Sequence, residues 1–137
     1  MTELDGGAVA VLHDFYARQA HLIDTGQHER WADTFTPSGE FHSPTYGKPA
    51  VGRERLKAIS EAFSQRAAQD GERHRHLVQD LWVRRIDEAG AEVQAYLLIV
   101  ATGARSPDAR LLRIVTLADQ LDRTDEGWRI RCRKVTY

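Results

Sequence analysis

The sequence predicts an α+β fold in which N-terminal helices pack on a curved, mainly antiparallel β-sheet and enclose a cone-shaped pocket. In the first half of the chain, apolar residues recur at the three- and four-residue steps of amphipathic helices. Beyond Gly71 the period shortens, and the apolar stretches become rich in the β-branched and aromatic residues that strands favour. An order in which helices precede strands is typical of α+β folds. The length of the chain suits one domain, which we expect to span residues 1–137.

The first and longest helix is expected over residues 8–23. Its apolar residues fill one side of a helical wheel, and Asp5 with the two glycines after it is the natural lead-in. The tripeptide "DTG" should end the helix, with Gly26 as a left-handed C-cap.

The stretch after this helix is predicted to be helical at first and then irregular. "HERWADTFT" keeps helical spacing through Trp31 and Phe35 until Pro37 stops it, and a chain reversal is expected near Gly39. A further surface helix is expected over residues 51–69, where an apolar stripe runs along a charged, alanine-rich segment.

Four long strands are expected in the second half of the chain, over residues 76–86, 92–103, 109–124 and 128–137. The breaks between them, "DEAG", "GARSPD" and "TDEG", have the composition of hairpin turns. Strands joined by hairpins in sequence form an antiparallel meander.

Strict alternation assigns the side chains of two strands to opposite faces. The core face of the last strand should carry Trp128, Ile130 and Cys132. Its other face, which meets solvent or a partner, should carry Arg129, Arg131 and Arg133. The first strand of the meander begins at "RHRH", and one of its faces should carry His74, His76, Val78, Asp80 and Trp82.

Composition argues against several classes of partner. The chain has 19 basic and 20 acidic residues spread along its length and a net charge of −1, so it lacks the footprint of a protein that binds nucleic acid or anionic membrane. Its single cysteine, Cys132, excludes an intrachain disulfide and suits a reducing cytoplasm. No apolar run approaches the length of a membrane span. We expect a cytoplasmic protein with a small-molecule or protein partner.

Asp24 and His76 are the candidates for acid–base chemistry. A carboxylate at the C-terminal end of a helix is disfavoured by the helix dipole, so Asp24 needs a compensating donor. His76 begins the strand beneath that helix and is the histidine most expected to be buried, so the two side chains could meet at one end of the cone. A carboxylate there would orient the imidazole for general acid–base catalysis. The alternatives are a self-capping aspartate and a satisfied core histidine.

The walls of the pocket are expected from the first helix and the stretch after it. Gln19 lies on the apolar arc of that helix, so its amide either bonds neighbouring groups or points into a cavity. The expected apolar walls, which would equally suit a core, are Tyr16, Trp31, Phe35 and Phe41.

The other histidines do not indicate a metal centre. His13 and His21 lie on the polar side of the first helix, and His28 lies in a turn, so all three are expected to be solvated. No pair of histidines has the spacing of a recognised metal motif, and no phosphate loop or nucleophile motif is present. We therefore expect proton-transfer chemistry without a metal or other cofactor.

The chain resembles the cone-shaped superfamily of nuclear transport factor two, and within it the SnoaL-like and scytalone dehydratase-like branch. The resemblance runs from "FYARQAHLIDTGQHERWADTFTPSGEF" through "GRERL" and "RHLVQD" to "DEGWRIRCRKV". It implies that Asp24 and His76 match a catalytic aspartate and histidine of scytalone dehydratase, and that Ser43 stands where that enzyme has an active-site tyrosine. Other polar positions of that enzyme are apolar here, among them Ile23, Val115 and Leu117. Scytalone dehydration itself is therefore not expected.

The resemblance implies a cofactor-independent dehydratase, isomerase or cyclase that acts on a hydrophobic, oxygenated molecule of polyketide type. The alternative is a non-catalytic binding or dimerisation module, because the arginine face of the last strand and Trp82 would suit a homodimer formed through the outer sheet face. A third hypothesis is epoxide hydrolysis, for which Asp80 and Asp119 would have to share a bridging arginine.

Overall fold

Three helices cover one face of a six-stranded sheet within residues 4–137, the part of the chain that the computed structural model describes. The helices are α1 (Gly6–Asp24), α2 (His28–Ala32) and α3 (Arg53–Gln69). The strands are β1 (Phe35–His42), β2 (Ala50–Val51), β3 (Glu72–Ile86), β4 (Gly90–Gly103), β5 (Ala109–Thr124) and β6 (Gly127–Thr136). None of the helices in residues 4–137 combines the length and the apolar character needed to cross a membrane.

The sheet has the order β2-β1-β6-β5-β4-β3. Neighbouring strands are antiparallel except β1 and β6, which run parallel. The last four strands form the predicted meander, and interruptions of register in β3–β6 curve the sheet around the helices. The predicted α+β class, with helices on one face of a curved and mainly antiparallel sheet, is confirmed.

Helix α1 forms because its apolar positions recur on one side and its first turn is capped. The Asp5 carboxylate accepts hydrogen bonds from the backbone N–H groups of Gly7 at 2.9 Å and Ala8 at 3.2 Å. Beyond the helix, Gly26 has φ 74°, in the left-handed region predicted for it. The buried residues of the helix face the sheet and are Leu12, Phe15, Tyr16, Gln19, Leu22 and Ile23.

The stretch around Pro37 differs from the prediction, because the helical spacing ends at α2 and Phe35 begins a strand. Pro37 is tolerated because the register of β1 against β6 is interrupted between Phe35 and Glu40, where no ladder hydrogen bond is needed. Gly39 lies within this irregular strand rather than at a chain reversal. A Cβ there would lie 2.9 Å from Phe35 Cβ and 3.1 Å from the carbonyl oxygen of Ile130, so only glycine fits without displacement.

A bulge in β3 overturns the predicted face of its second half. Asp80 has φ 53°, and the register with β4 is interrupted between Gln79 and Trp82. The inner face continues from Val78 to Leu81 instead of Asp80, so Asp80 is exposed and Trp82 lies outward with 59% of its surface accessible.

A second interruption, in β6, reverses another predicted face. Gln120 pairs with Cys132 and Leu121 with Ile130, which leaves Arg131 as the extra residue. The side chains after Ile130 therefore lie on the faces opposite to those predicted, and Arg133 is buried, with 5% of its surface exposed. The expectation that Arg133 shares the outer face with the other arginines of the strand is wrong.

Gly90 begins β4 at a point where the backbone of β5 approaches closely. A Cβ on Gly90 would collide with the carbonyl oxygen of Leu121, an atom that cannot move without disturbing the ladder. We expect Gly90→Ala to lower the free energy of unfolding by about 1–3 kcal/mol, measured by urea denaturation. Gly103→Ala is the matched control, because its new methyl group would meet only Ser106 Cβ at 3.7 Å. Equal stability of the two variants would contradict the close approach.

Candidate functional site

A cavity of about 480 Å³ lies between the helices and the inner face of the sheet. Its volume falls in the range of pockets that bind drug-sized small molecules. Its sheet wall carries an apolar patch formed by Leu97, Ile99, Val115, Leu117 and Val135. The polar and charged side chains of the sheet that also line it are His74, His76, Arg110, Arg113 and Arg133.

Asp24 and His76 meet beside this cavity, which His76 lines. His76 Nδ1 lies 2.8 Å from Asp24 Oδ1, and the His76 backbone N–H lies 3.0 Å from each carboxylate oxygen. The carboxylate is the last residue of α1, where the helix dipole disfavours negative charge. The two donors of His76 provide the compensation that this position requires.

The hydrogen bond to Asp24 fixes which His76 nitrogen is free. An ionised carboxylate only accepts, so Nδ1 donates and Nε2 of the neutral ring carries a lone pair. Nε2 makes no hydrogen bond to any residue in 4–137. Every fully buried side-chain nitrogen or oxygen in that range has a partner, so Nε2 is not fully buried. The ring lines the cavity and packs against Phe63 at a centroid distance of 4.4 Å, so Nε2 is accessible from the cavity.

His74, rather than His76, is the most buried histidine in the described part of the chain. Its exposed fraction is 6%, and its Nε2 lies 3.1 Å from Glu72 Oε1. His76 is half-buried because its ring faces the open cavity instead of a closed core. The Glu72 carboxylate also pairs with Arg110 on β5, so His74, Glu72 and Arg110 form one connected group beside the cavity.

This group makes a pH-dependent contribution to stability. Arg110, and then His74, lower the pKa of Glu72 from 4.5 to about 2. Because the lower pKa belongs to the folded chain, the ionised carboxylate stabilises the fold above pH 4.5, and this contribution is lost as the pH falls toward 2. Arg110→Gln should therefore be less stable than wild type at pH 7, and the difference should shrink through that window. Urea denaturation at a series of pH values measures it, and a difference independent of pH would contradict the assignment.

A buried polar network borders the cavity and was not predicted from the sequence. Arg133 Nε and Nη2 each lie 2.9 Å from a carboxylate oxygen of Asp119. Tyr16 donates its hydroxyl to Asp119 at 2.5 Å, and Gln19 Oε1 accepts from Arg133 Nη2 at 2.8 Å. The Gln19 amide donates in turn to Thr34 Oγ1 at 2.7 Å. Every member of the network is buried, and the ion pair is the central contact.

Burial and charge fix the protonation of this network. Burial, and then the neighbouring Asp119 carboxylate, raise the pKa of Tyr16 well above its ordinary value, so the hydroxyl stays protonated and donates. Burial alone would lower the pKa of Arg133, but Asp119 outweighs it and the pKa is raised. Arg133 is therefore a permanent cation inside the protein.

One signal in the sequence could have found this pair. On β5 the buried residues Val115 and Leu117 precede Asp119 at two-residue steps, which places Asp119 on the inner face. A buried carboxylate needs a cation, and the neighbouring strand β6 carries three arginines, Arg129, Arg131 and Arg133. The epoxide-hydrolase hypothesis is not supported, because Asp80 is exposed on β3 and does not contact Arg133.

The predicted pocket residues separate into two groups. Those that line the cavity are Gln19, Trp31, Phe41 and Ser43. Tyr16 and Phe35 do not line it, contrary to expectation, because both are buried in the core. Three apolar residues singled out in the sequence, Ile23, Val115 and Leu117, line it as well.

The other four histidines, His13, His21, His28 and His42, do not line the cavity. His13 and His21 are exposed on α1, as predicted. His28 is half-buried at the start of α2 instead of lying in a turn, and its Nδ1 lies 2.8 Å from Ser60 Oγ.

Two groups of described residues hold metal-ligand atoms within 4.8 Å of one another. They are Glu40 with His42 and Cys132, and Asp70 with Glu72 and His74. In the first group His42 Nε2 already bonds Glu40 Oε1 at 2.9 Å, and in the second Glu72 already pairs with Arg110. Both groups are thus engaged in contacts within the protein.

The chain is similar to several solved structures. Aln2 from a Streptomyces species superposes with a TM-score of 0.87 at 24% identity, over 98% of this chain and 94% of that one. A protein from Catenulispora acidiphila in complex with S-DNPA has a TM-score of 0.79 at 28% identity, over 96% and 93%. An ntf2-like protein with a cystatin-like fold from Novosphingobium aromaticivorans has a TM-score of 0.77 at 19% identity, over 90% and 77%.

Comparison with family models gives a match that spans most of the chain. The model of the SnoaL-like domain matches residues 8–134. The comparison with curated proteins gives no match. The cone of helices and sheet, the solved structures that share it and the extent of the family match agree with one another, and the chain belongs to the family of SnoaL-like domains.

Proposed function

We propose that the protein is a cofactor-independent acid–base enzyme of the dehydratase, isomerase or cyclase type. The observation that carries this proposal is the 2.8 Å contact between His76 Nδ1 and Asp24 at the wall of a cavity. This contact leaves Nε2 as a lone-pair base that a bound molecule can reach. Asp24 holds the tautomer and stabilises the imidazolium that forms when Nε2 takes a proton.

The proposed first step is the removal of a proton from a carbon next to a carbonyl group. The C–H bond breaks, its electron pair moves into the enolate, and the proton goes to His76 Nε2. The imidazolium then returns the proton. If a leaving hydroxyl receives it, water is lost; if another carbon of the enolate receives it, the substrate is isomerised. In ring closure the enolate carbon instead attacks a second carbonyl carbon, whose oxygen takes the proton.

The walls of the cavity support a hydrophobic, oxygenated substrate. Aliphatic side chains of the sheet and the rings of Trp31, Phe41 and Phe63 line the cavity, a lining that suits aromatic or polycyclic molecules. The similar protein from Catenulispora acidiphila was solved in complex with S-DNPA, and the SnoaL-like resemblance favours a polyketide-type intermediate. S-DNPA is therefore the first compound to test for binding.

Hydrogen exchange of a model ketone tests the proposed chemistry without knowledge of the substrate. The bicyclic ketone 1-tetralone carries exchangeable hydrogens next to its carbonyl and is of a size that the cavity accepts. In D₂O the wild-type protein should accelerate deuterium incorporation at that carbon, as followed by NMR. Incorporation at the rate of buffer alone, with 1-tetralone bound, would contradict a base poised in the cavity.

A binding or dimerisation role is the second candidate, and the outer face of the sheet favours it. Three large apolar side chains on that face are strongly exposed: Trp82 at 59%, Ile114 at 55% and Tyr96 at 47%. Apolar patches of this kind mark association surfaces. We propose that two copies associate through this face.

Sedimentation velocity tests the homodimer. The wild type should sediment as a dimer and the variant Ile114→Asp as a monomer, because a charge would be buried in the interface. Asp108→Ala in the exposed turn before β5 is the control and should leave the dimer intact. A monomeric wild type at high protein concentration would reject this surface as the interface.

A further inference from the structure

Arg133 has one guanidinium nitrogen that the buried network does not use. Its Nε and Nη2 bond Asp119, and Nη2 also donates to Gln19. Nη1 makes no hydrogen bond to any residue between 4 and 137. Every fully buried side-chain nitrogen or oxygen in that range has a hydrogen-bond partner. Because Nη1 has none, it is not fully buried.

The cavity is the open space beside Arg133, which lines it although only 5% of the residue is exposed. The guanidinium is held in place from two sides, by Asp119 on the neighbouring strand and by Gln19 on α1. The rings of Phe35 and Tyr16 pack at 5.7 and 6.0 Å from its central carbon. The free donor is therefore rigid and fully charged, which is an arrangement that binds an oxygen without reorganisation.

We propose that Arg133 Nη1 is the polar anchor of the cavity and binds a carbonyl, enolate or phenolate oxygen of the substrate. The proposal rests on the proposed acid–base function and extends it to the substrate. A charged N–H that stabilises an enolate oxygen would also favour the proton removal assigned to His76.

The anchor and the base lie on different strands of the sheet. His76 is on β3 and Arg133 on β6, with β4 and β5 between them. At about 4.8 Å a strand, this separation is about 14 Å along a flat sheet. The curvature of the sheet and the reach of both side chains shorten it, and both residues line the same cavity.

Two probes of similar shape test the anchor by binding alone. 1-Tetralone carries a carbonyl oxygen, and its hydrocarbon counterpart tetralin carries none. Their affinities are measured by tryptophan fluorescence, since Trp31 lines the cavity. The ratio of the two affinities measures how much the carbonyl oxygen contributes to binding. Arg133→Met should reduce this ratio by about 10- to 100-fold, as expected for the loss of a hydrogen bond from a charged donor.

Arg131→Gln is the matched control, because Arg131 lies on the same strand but pairs with Asp122 outside the cavity. It should leave the affinity ratio unchanged. An unchanged ratio in a folded Arg133→Met variant would overturn the proposal.

A measurement on the wild type covers the case in which Arg133→Met does not fold. The infrared C=O stretch of bound 1-tetralone should lie well below its frequency in hexane, because a charged donor weakens the C=O bond. A frequency equal to that in hexane would overturn the anchor. Deuterium exchange reports on His76 separately, so selective binding without exchange rejects only the acid–base function, and exchange without selective binding rejects only the anchor.

Discussion

His76→Gln should reduce the rate of 1-tetralone exchange by about 10²- to 10⁴-fold, the range that a positioned general base contributes. Glutamine keeps a polar side chain of similar length at the wall of the cavity but has no basic nitrogen. Because His76 is half-buried and faces open space, the variant should keep the fold and its affinity for 1-tetralone.

The control for this prediction is His13→Gln, which makes the same change at an exposed position of α1. It should exchange at the wild-type rate. The rates are compared by NMR in D₂O at saturating 1-tetralone. An exchange rate for His76→Gln within a few-fold of wild type would show that another group removes the proton.

Asp24 should act through His76, as a positioning residue. It bonds both the ring and the backbone N–H of His76. Asp24→Asn should therefore lower kcat for the exchange of 1-tetralone, while KM stays near the wild-type value. The shape of the cavity and its affinity for the ketone do not depend on the carboxylate. This split separates positioning from a purely structural role, in which both parameters would change with stability.

The fold could be predicted where local pattern decides structure. The helical spacing of α1 and the alternation in the meander follow from the side chains alone, because each element must bury one apolar face. The bulges at Asp80 and Arg131 could not be predicted in this way. A bulge adds one residue to one of two paired strands and bends that strand. Its position depends on the pairing with the neighbouring strand, so the periodicity of the sequence alone does not reveal it.

The same distinction explains which part of the site was anticipated. The contact between Asp24 and His76 depends on a helix end and on the first residues of β3, which precede the bulge in that strand. Arg133 lies after the bulge in β6, so simple alternation placed it on the wrong face. Gln19 was the indirect signal, because a buried amide requires partners, and one of those partners is Arg133.

Asp119→Ala should lower the free energy of unfolding by about 3–5 kcal/mol, since breaking a buried ion pair leaves an uncompensated charge inside the protein. Arg133 would lose the acceptor of its Nε, and Tyr16 the acceptor of its hydroxyl. Urea denaturation measures the change. Asp122→Ala is the control, because Asp122 pairs with Arg131 where both side chains are exposed, and its cost should be about 0–1 kcal/mol.

The paired replacement Asp119→Leu with Arg133→Met separates the cost of an unpaired charge from the value of the pair. Two apolar side chains of similar volume leave no buried charge, so most of the stability lost in Asp119→Ala should return. The double variant should nevertheless lose its preference for 1-tetralone over tetralin, because the donor in the cavity is gone. A double variant as unstable as Asp119→Ala would mean that the pair itself stabilises the fold. Recovered stability without selective binding would mean instead that the buried charge serves the ligand and is maintained despite its cost to folding.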